Sequence, residues 1–219
     1  MKSRVNWTVH LVELIVVIIG VSIAFQLSNW KESTRNSNLE KEYIHGFVTD
    51  LEDDIKLLTQ LIDTSKYYLK MNEKLTNTIV RLDYDNDSLF YYVISLYSYS
   101  EFISQDNTYE SWKSSVGMDI ISDFKLRKKI TTLYNFHYKN LRILDGFQRT
   151  HQFDRIGPYI NRNVRFTGRP VLLNTDFLDD NYFTNLTFSA RYSLANKIRQ
   201  YELTREKAEA LKTELEQQI

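Results

Sequence analysis

Carboxylates are the side chains best placed to do chemistry in this sequence, and they occur in three settings. Glu13 stands at the head of a long apolar run. There it would either meet water and the positive end of a helix, or turn away from lipid toward a protein partner, where it could take part in proton-linked assembly or an ion pathway. Glu52, Asp53 and Asp54 cluster within a helical periodicity. A pair of carboxylates divides acid and base roles only when an opposing element brings a second group, which the sequence does not place, so solvation is enough to account for them. Asp83-Tyr84-Asp85-Asn86-Asp87 opens like a calcium loop, but Ser88 stands where the turn glycine is needed and Ile94 where the bidentate acid belongs. It reads as an acidic connection in which Asp85 or Asp87 caps the next helix.

His45, His137 and His151 lack the i, i+4 pairing of a helix-borne metal site. There is no glycine-rich phosphate loop, no H-E-x-x-H, no G-x-S-x-G and no cysteine. The expectation is a protein that is not an enzyme, with no catalytic residue, no cofactor and no metal. The 28 basic and 28 acidic residues cancel, and no like-charge run suggests a nucleic-acid partner.

The elements that must position these groups begin with the apolar run itself. Residues 9–27 cover about 28 Å at ~1.5 Å per residue, close to the ~30 Å hydrocarbon core of a bilayer. Lys2 and Arg4 precede the run, and Trp7 and Trp30 flank it as interfacial anchors. The positive-inside bias then leaves the N-terminus in the cytoplasm and exports the rest. A cleaved signal peptide ending near Ser22-Ile23-Ala24 is the rival reading, and it exports the same domain. On a helical wheel Glu13, Gly20 and Ala24 share one face, and the Gly20-x-x-x-Ala24 spacing permits close approach of a second membrane helix. The bland reading of that face is an interfacial acid beside an incidental glycine.

The stretch Glu13-Leu14-Ile15-Val16-Val17-Ile18-Ile19-Gly20-Val21-Ser22-Ile23-Ala24-Phe25-Gln26-Leu27-Ser28-Asn29-Trp30 resembles the anchor of a bacterial family of uncharacterised single-pass membrane proteins. That anchor reads E, an aliphatic run, V-I-G, aliphatics, A, aliphatic, Q, aliphatic, N-N-W. Ser22, Phe25 and Ser28 depart from it. Tyr109-Glu110-Ser111-Trp112-Lys113-Ser114-Ser115 is similar to the same family's Y-E-S-L-K-S-S, with Trp112 replacing the leucine. The resemblance implies a topology and a domain of unknown function, without implying a chemistry.

Beyond the anchor the pattern is helical. Ser37-x-x-Glu40 has the form of a capping box, which predicts a hinge at 31–37 and a new helix from residue 38. Ile44, Leu51 and Leu58 interlace with Val48, Ile55, Ile62 and Leu69 in a heptad seam that continues toward Leu82, with a break near Thr64 or Asn72 as one option. Leu89 to Ile103 reads as an aromatic helix, and Asn107-x-x-Glu110 as a capping box whose helix Gly117 ends. Leu126, Ile130, Leu133, His137, Leu141, Leu144 and Phe147 form an amphipathic stripe. Residues 155–180, with both prolines, read as irregular, and a last helix starts near Asn181.

The fold class expected is all-α: a tail 1–8, a transmembrane anchor 9–30, the hinge 31–37, and an elongated antiparallel helical bundle 38–219. The function expected is a membrane-tethered envelope scaffold or interaction module of the bacterial inner membrane. It would engage itself or another envelope protein. The alternatives are a ligand-sensing bundle acting through a membrane partner, and a protonation-linked assembly that uses Glu13.

Overall fold

From Val9 to Ile79 the chain has no proline and only Gly20 and Gly46. It forms one uninterrupted helix, α1 (Trp7–Arg81), of 75 residues, about 110 Å long at ~1.5 Å per residue. The computed structural model describes residues 7–219, with side chains described except at 7–9, 115 and 116. Lys2 and Arg4 of the expected tail, and the side chains of Trp7 and Ser115, lie outside the described residues.

The first part of α1 is long and apolar enough to cross a membrane, and none of that window is buried in the protein. The expected hinge does not form, because residues 31–37 are helical throughout. Lys31, Glu32 and Arg35 are good helix formers, no Gly or Pro interrupts them, and Thr34 Oγ1 donates back to the Trp30 carbonyl at 2.9 Å. Glu40 closes no capping box with Ser37. Its Oε1 instead accepts from the Ser122 backbone N–H at 2.7 Å and the Ser122 hydroxyl at 2.9 Å. There is no break at Thr64 or Asn72 either.

α1 ends in a Schellman arrangement: Asp83 N–H donates to the Thr78 carbonyl and Leu82 N–H to the Ile79 carbonyl, both at 3.1 Å. Leu82 takes the left-handed position, φ 54°, that glycine usually fills. In the acidic connection that follows, Asn86 Oδ1, rather than Asp85 or Asp87, accepts from Ser88 N–H at 2.9 Å and so starts α2 (Leu89–Ser95). The expected aromatic helix to Ile103 stops there, and residues 98–106 have no regular structure.

α3 (Asn107–Ser111) continues into a π turn, Trp112–Val116, which Gly117 ends at φ 79°. α4 (Phe124–Thr132), α5 (Lys139–Thr150) and α6 (Gly157–Asn163) are joined through π turns Leu133–Tyr138 and His151–Ile156 into one continuous rod. The rod therefore runs into the segment expected to be irregular. Pro158 sits in the first turn of α6, directly after the π turn His151–Ile156, so the rod passes through a residue that has no N–H to donate. A short antiparallel hairpin follows, pairing Val164 with Leu172 and Arg165 with Val171 around Gly168 at φ 71°. α7 (Asn181–Glu216) starts where expected, with Asp180 Oδ1 accepting from Tyr182 and Phe183 N–H.

Side-chain pairs set the directions. Lys66 meets Glu202, Arg205 meets Thr59 and Lys212 meets Glu52, so α7 runs antiparallel to α1. Lys129 with Glu214 and Asn140 with Gln200 make it antiparallel to the rod. The chain between α2 and Ser122 descends along α1 from the level of Asn72 to that of Glu40. The architecture is an all-α antiparallel bundle with four members, one of them only partly helical. One core surrounds Phe47, Leu58, Trp112, Tyr138 and Tyr201, and a second surrounds Leu75, Val93, Ile156, Leu178 and Phe183.

Leu82 is exposed and gains no packing that offsets its backbone strain. Leu82→Gly is expected to stabilise the protein by about 1 kcal/mol, read as a higher thermal midpoint by circular dichroism. An unchanged or lower midpoint would remove this account of the α1 terminus.

Candidate functional site

A non-helical segment inside a bundle has backbone donors and acceptors that no helix ladder satisfies, and leaving them unpaired would cost about 1–3 kcal/mol each. Residues 98–106 run through the protein in this condition, and side chains from the surrounding helices supply the missing partners. Asp54 Oδ1 on α1 accepts from Gln105 N–H at 2.8 Å. Asp145 Oδ2 on α5 accepts from Phe102 N–H at 2.9 Å. Lys197 on α7 donates to the Ser100 carbonyl, Gln152 to that of Ser98, and Tyr134 to that of Gln105 at 3.2 Å. One turn further, Asp50 Oδ2 accepts from Thr108 N–H at 3.2 Å. α3 is therefore capped from α1, and the box expected from Asn107 and Glu110 does not form. Gly46 makes room for this contact, since a Cβ there would lie 2.9 Å from the Thr108 side chain.

Two buried clusters result. In the first, Lys197 Nζ pairs with Asp145 Oδ1 at 2.8 Å and also donates to Gln148 Oε1. Tyr201 donates to Asp145 Oδ1 at 2.9 Å, and Lys197 lies over the Tyr201 and Tyr99 rings. Burial lowers the Lys197 pKa, and Asp145 acts against that shift. In the second, Asp54 is fully buried. Burial raises its carboxyl from 3.8 to about 7, against the bond from Gln105 and assisted by the charges of Asp50 and Asp53. Tyr138 is its neighbour as a hydroxyl donor, yet Asp54 Oδ2 and the Tyr138 hydroxyl fall short of a formed hydrogen bond. Desolvation also pushes Tyr134, Tyr138 and Tyr201 above the ordinary phenol value, which keeps them protonated donors. This arrangement can bind and release a proton near neutrality while holding the chain in place.

The family-like segment has a structural part in this. Tyr109 is buried and stacks on Tyr134 at 4.5 Å, and its hydroxyl accepts from Asn135 at 2.8 Å. Glu110 pairs with Lys113 at 3.0 Å, Ser111 meets the Tyr43 hydroxyl at 3.3 Å, and Ser114 donates to the Glu110 carbonyl at 2.7 Å. Trp112 is fully buried, edge-on to Phe47 at 5.5 Å. Glu13, Gly20, Ala24 and Trp30 lie on the exposed part of α1, far from these groups, with His10 Nδ1 at 3.2 Å from Glu13 Oε2. Among the described residues, no group of three or more His, Asp or Glu side chains converges to hold a metal.

Asp54 is not on a solvated face. Of the expected stripe of the rod, Leu126, Ile130, Leu133 and Leu141 are buried and His137 and Leu144 are half-buried, but its last member is not in the core. Phe147 is 68% exposed, while Asp145, Gln148 and Gln152 are buried. Each π turn inserts one extra residue and shifts the face that points inward. The signal was present: Leu141, Asp145, Gln148 and Gln152 recur at spacings of four and three, as do Leu194, Lys197 and Tyr201. Read as one buried polar seam, they would have pointed to a non-helical partner.

Two predictions follow from the titrating and charged groups. The folded Asp54 binds its proton more tightly than the unfolded chain does, so its contribution to stability declines as pH rises from about 4 to about 7 and then levels off. Asp54→Asn keeps the acceptor for Gln105 and supplies a donor toward Tyr138. It should flatten that decline and gain most above pH ~7, seen in thermal midpoints across the range. Lys197→Met leaves Asp145 buried without a counter-charge and should cost about 3–5 kcal/mol in urea unfolding, with Asp145→Asn on the same background recovering part of the loss. Additive effects of the two substitutions would contradict the pairing.

A model of a protein family described as a family of unknown function (DUF6090) matches residues 13–190. No curated protein and no solved structure matches the chain. The match begins at Glu13 in the exposed apolar part of α1, covers the buried segment and its partners Asp54 and Asp145, and ends at Ala190 in α7. Lys197 and Tyr201 lie past its end. Since it spans well over half of the sequence, the chain belongs to the family of unknown function DUF6090.

Proposed function

We propose that the protein is a membrane-tethered scaffold or interaction module of the bacterial envelope, with no catalytic role of its own. Its N-terminus is in the cytoplasm, its anchor crosses the inner membrane, and its bundle is displayed on the far side. The observation that carries this reading is the continuity of α1. The helix that exposes its apolar residues from Leu11 to Leu27 is the same helix that buries Phe47, Leu51 and Leu58 in the bundle core. A flexible leash would only limit diffusion of the domain, whereas a continuous helix also fixes the height and orientation at which its surface meets a partner. The partner is a second copy or another envelope protein. Exposed aromatic side chains on the rod and α7, including Phe136, Phe147, Phe188 and Tyr192, are the contact candidates.

The same continuity gives the sensing alternative a physical route, because rotation or tilt of the bundle passes to the membrane segment and from there to a partner. Glu13, paired with His10 on the exposed helix, is the group through which a protonation-linked assembly would act.

Crosslinking in intact cells, with protease accessibility as the topology control, tests the proposal. The expected result is a protected N-terminus, an accessible bundle, and a crosslinked species above monomer mass that Phe147→Ser or Tyr192→Ser weakens. Capture of monomer alone, under conditions that trap known complexes, would remove the scaffold reading. Glu13→Gln is expected to change complex formation only if the protonation-linked alternative holds.

A further inference from the structure

A groove of about 650 Å³ opens between α4 and the C-terminal part of α7, within the ~300–1,000 Å³ typical of small-molecule sites. Its floor is apolar, made by the buried Leu133 and Leu211, with Ala210 on its exposed side, and Phe124 stands at its mouth with 68% of its surface exposed. Its rim is cationic, carrying Lys125, Lys128, Lys129 and Lys207. The one acid in the lining, Glu214, is bound by Lys129. Lys125 and Lys128 have no ion pair among the described residues, and the acid nearest Lys207 is Glu206 at 3.6 Å. His137, also in the lining, is held below its ordinary pKa by burial and by Lys207, so at neutral pH it adds no charge to the rim. The Arg127 guanidinium covers one side of the Phe124 ring at 5.7 Å, and the rest of the ring stays exposed beside Lys125 and Lys128, whose charges no acid of the fold answers among the described residues.

We propose that this groove binds a single anionic acyl amphiphile, with the chain on the apolar floor and the carboxylate or phosphate head on the lysine rim. Both requirements come from the lining: an apolar molecule without charge leaves the ammonium groups unanswered, and a small anion leaves the floor and Phe124 in water. The groove's height separates a dissolved molecule from a membrane surface, and this step alone rests on the anchored reading given above. Glu40 with Ser122 and Glu52 with Lys212 mark its level along α1. These lie about 15 and 33 Å beyond Trp30 at ~1.5 Å per residue, whereas the headgroup layer extends only about 5–8 Å past the hydrocarbon. The occupant is therefore a monomer that has left the bilayer.

The test uses the full chain in phosphatidylcholine nanodiscs with a diazirine-bearing palmitate, followed by mapping of the labelled peptides. Label is expected on 124–133 and 207–214, and unlabelled palmitate should compete where hexadecanol and inorganic phosphate do not. Lys125→Glu with Lys128→Glu should lower that labelling about tenfold, the worth of one charge-assisted contact. Ala210→Trp, which fills the groove from its exposed side, should abolish labelling with an unchanged thermal midpoint. Label confined to the apolar part of α1, or label that ignores both variants, would overturn the proposal. Equal competition by hexadecanol would show that the head charge is not read, and competition by phosphate alone would reduce the site to one for a free anion. Either result also overturns it. None of these outcomes bears on whether the chain forms complexes in the envelope.

Discussion

Every N–H and C=O in the bundle interior has to be paired, and that requirement organises this protein more than its apolar seams do. Helices meet it internally. Residues 98–106 do not, and the helices around them carry polar side chains at positions that would otherwise be aliphatic: Asp54, Asp145, Gln152 and Lys197. Their burial has consequences of its own. Burial of Asp54 outweighs the Gln105 amide bond, so its carboxyl retains its proton toward neutrality, and a lysine placed against carbonyls needs a counter-ion, which Asp145 supplies. The ion pair and the titrating acid both follow from threading an extended segment through a helical bundle.

Much of the fold was legible because helical periodicity is a long-range pattern that single substitutions do not erase. The seam through Ile44, Leu51 and Leu58, the start of α7 at Asn181 and the all-α class all rest on it. What was not legible depended on contacts between distant residues. Ser37-x-x-Glu40 has the form of a helix start, but Glu40 is engaged 82 residues away by Ser122. Tyr97 and Tyr99 carry the apolar bulk expected of a buried helix, but they lie in the turn and the non-helical segment after α2, where both rings pack edge-on against Phe153 of the rod. Phe147 fits the core stripe by spacing, but the π turn at Leu133–Tyr138 changes which side chains face inward, leaving Leu144 half-buried and Phe147 exposed. Of the buried polar site, Asp54 lies three residues after Leu51 and four before Leu58, on the buried face of α1, but its partner is backbone 51 residues away, which no local pattern reveals.

In the segment whose sequence resembles a family signature, the described side chains make packing and tying contacts. Tyr109 and Trp112 close one end of the core against Tyr134 and Phe47, and Glu110, Ser111 and Ser114 tie off the turn around them. Pattern and packing agree here because the turn enters a π turn and must end within a few residues at Gly117.

The unbroken passage of α1 from its exposed apolar part into the core has an angular consequence. Each residue added or removed between Trp30 and Glu40 would turn the bundle by about 100° about the helix axis while shifting it by only ~1.5 Å. Chain length in this stretch therefore behaves as a phase, and drift in residue count among related chains would re-aim the bundle's surface relative to the apolar part of α1 long before it changed the distance between them.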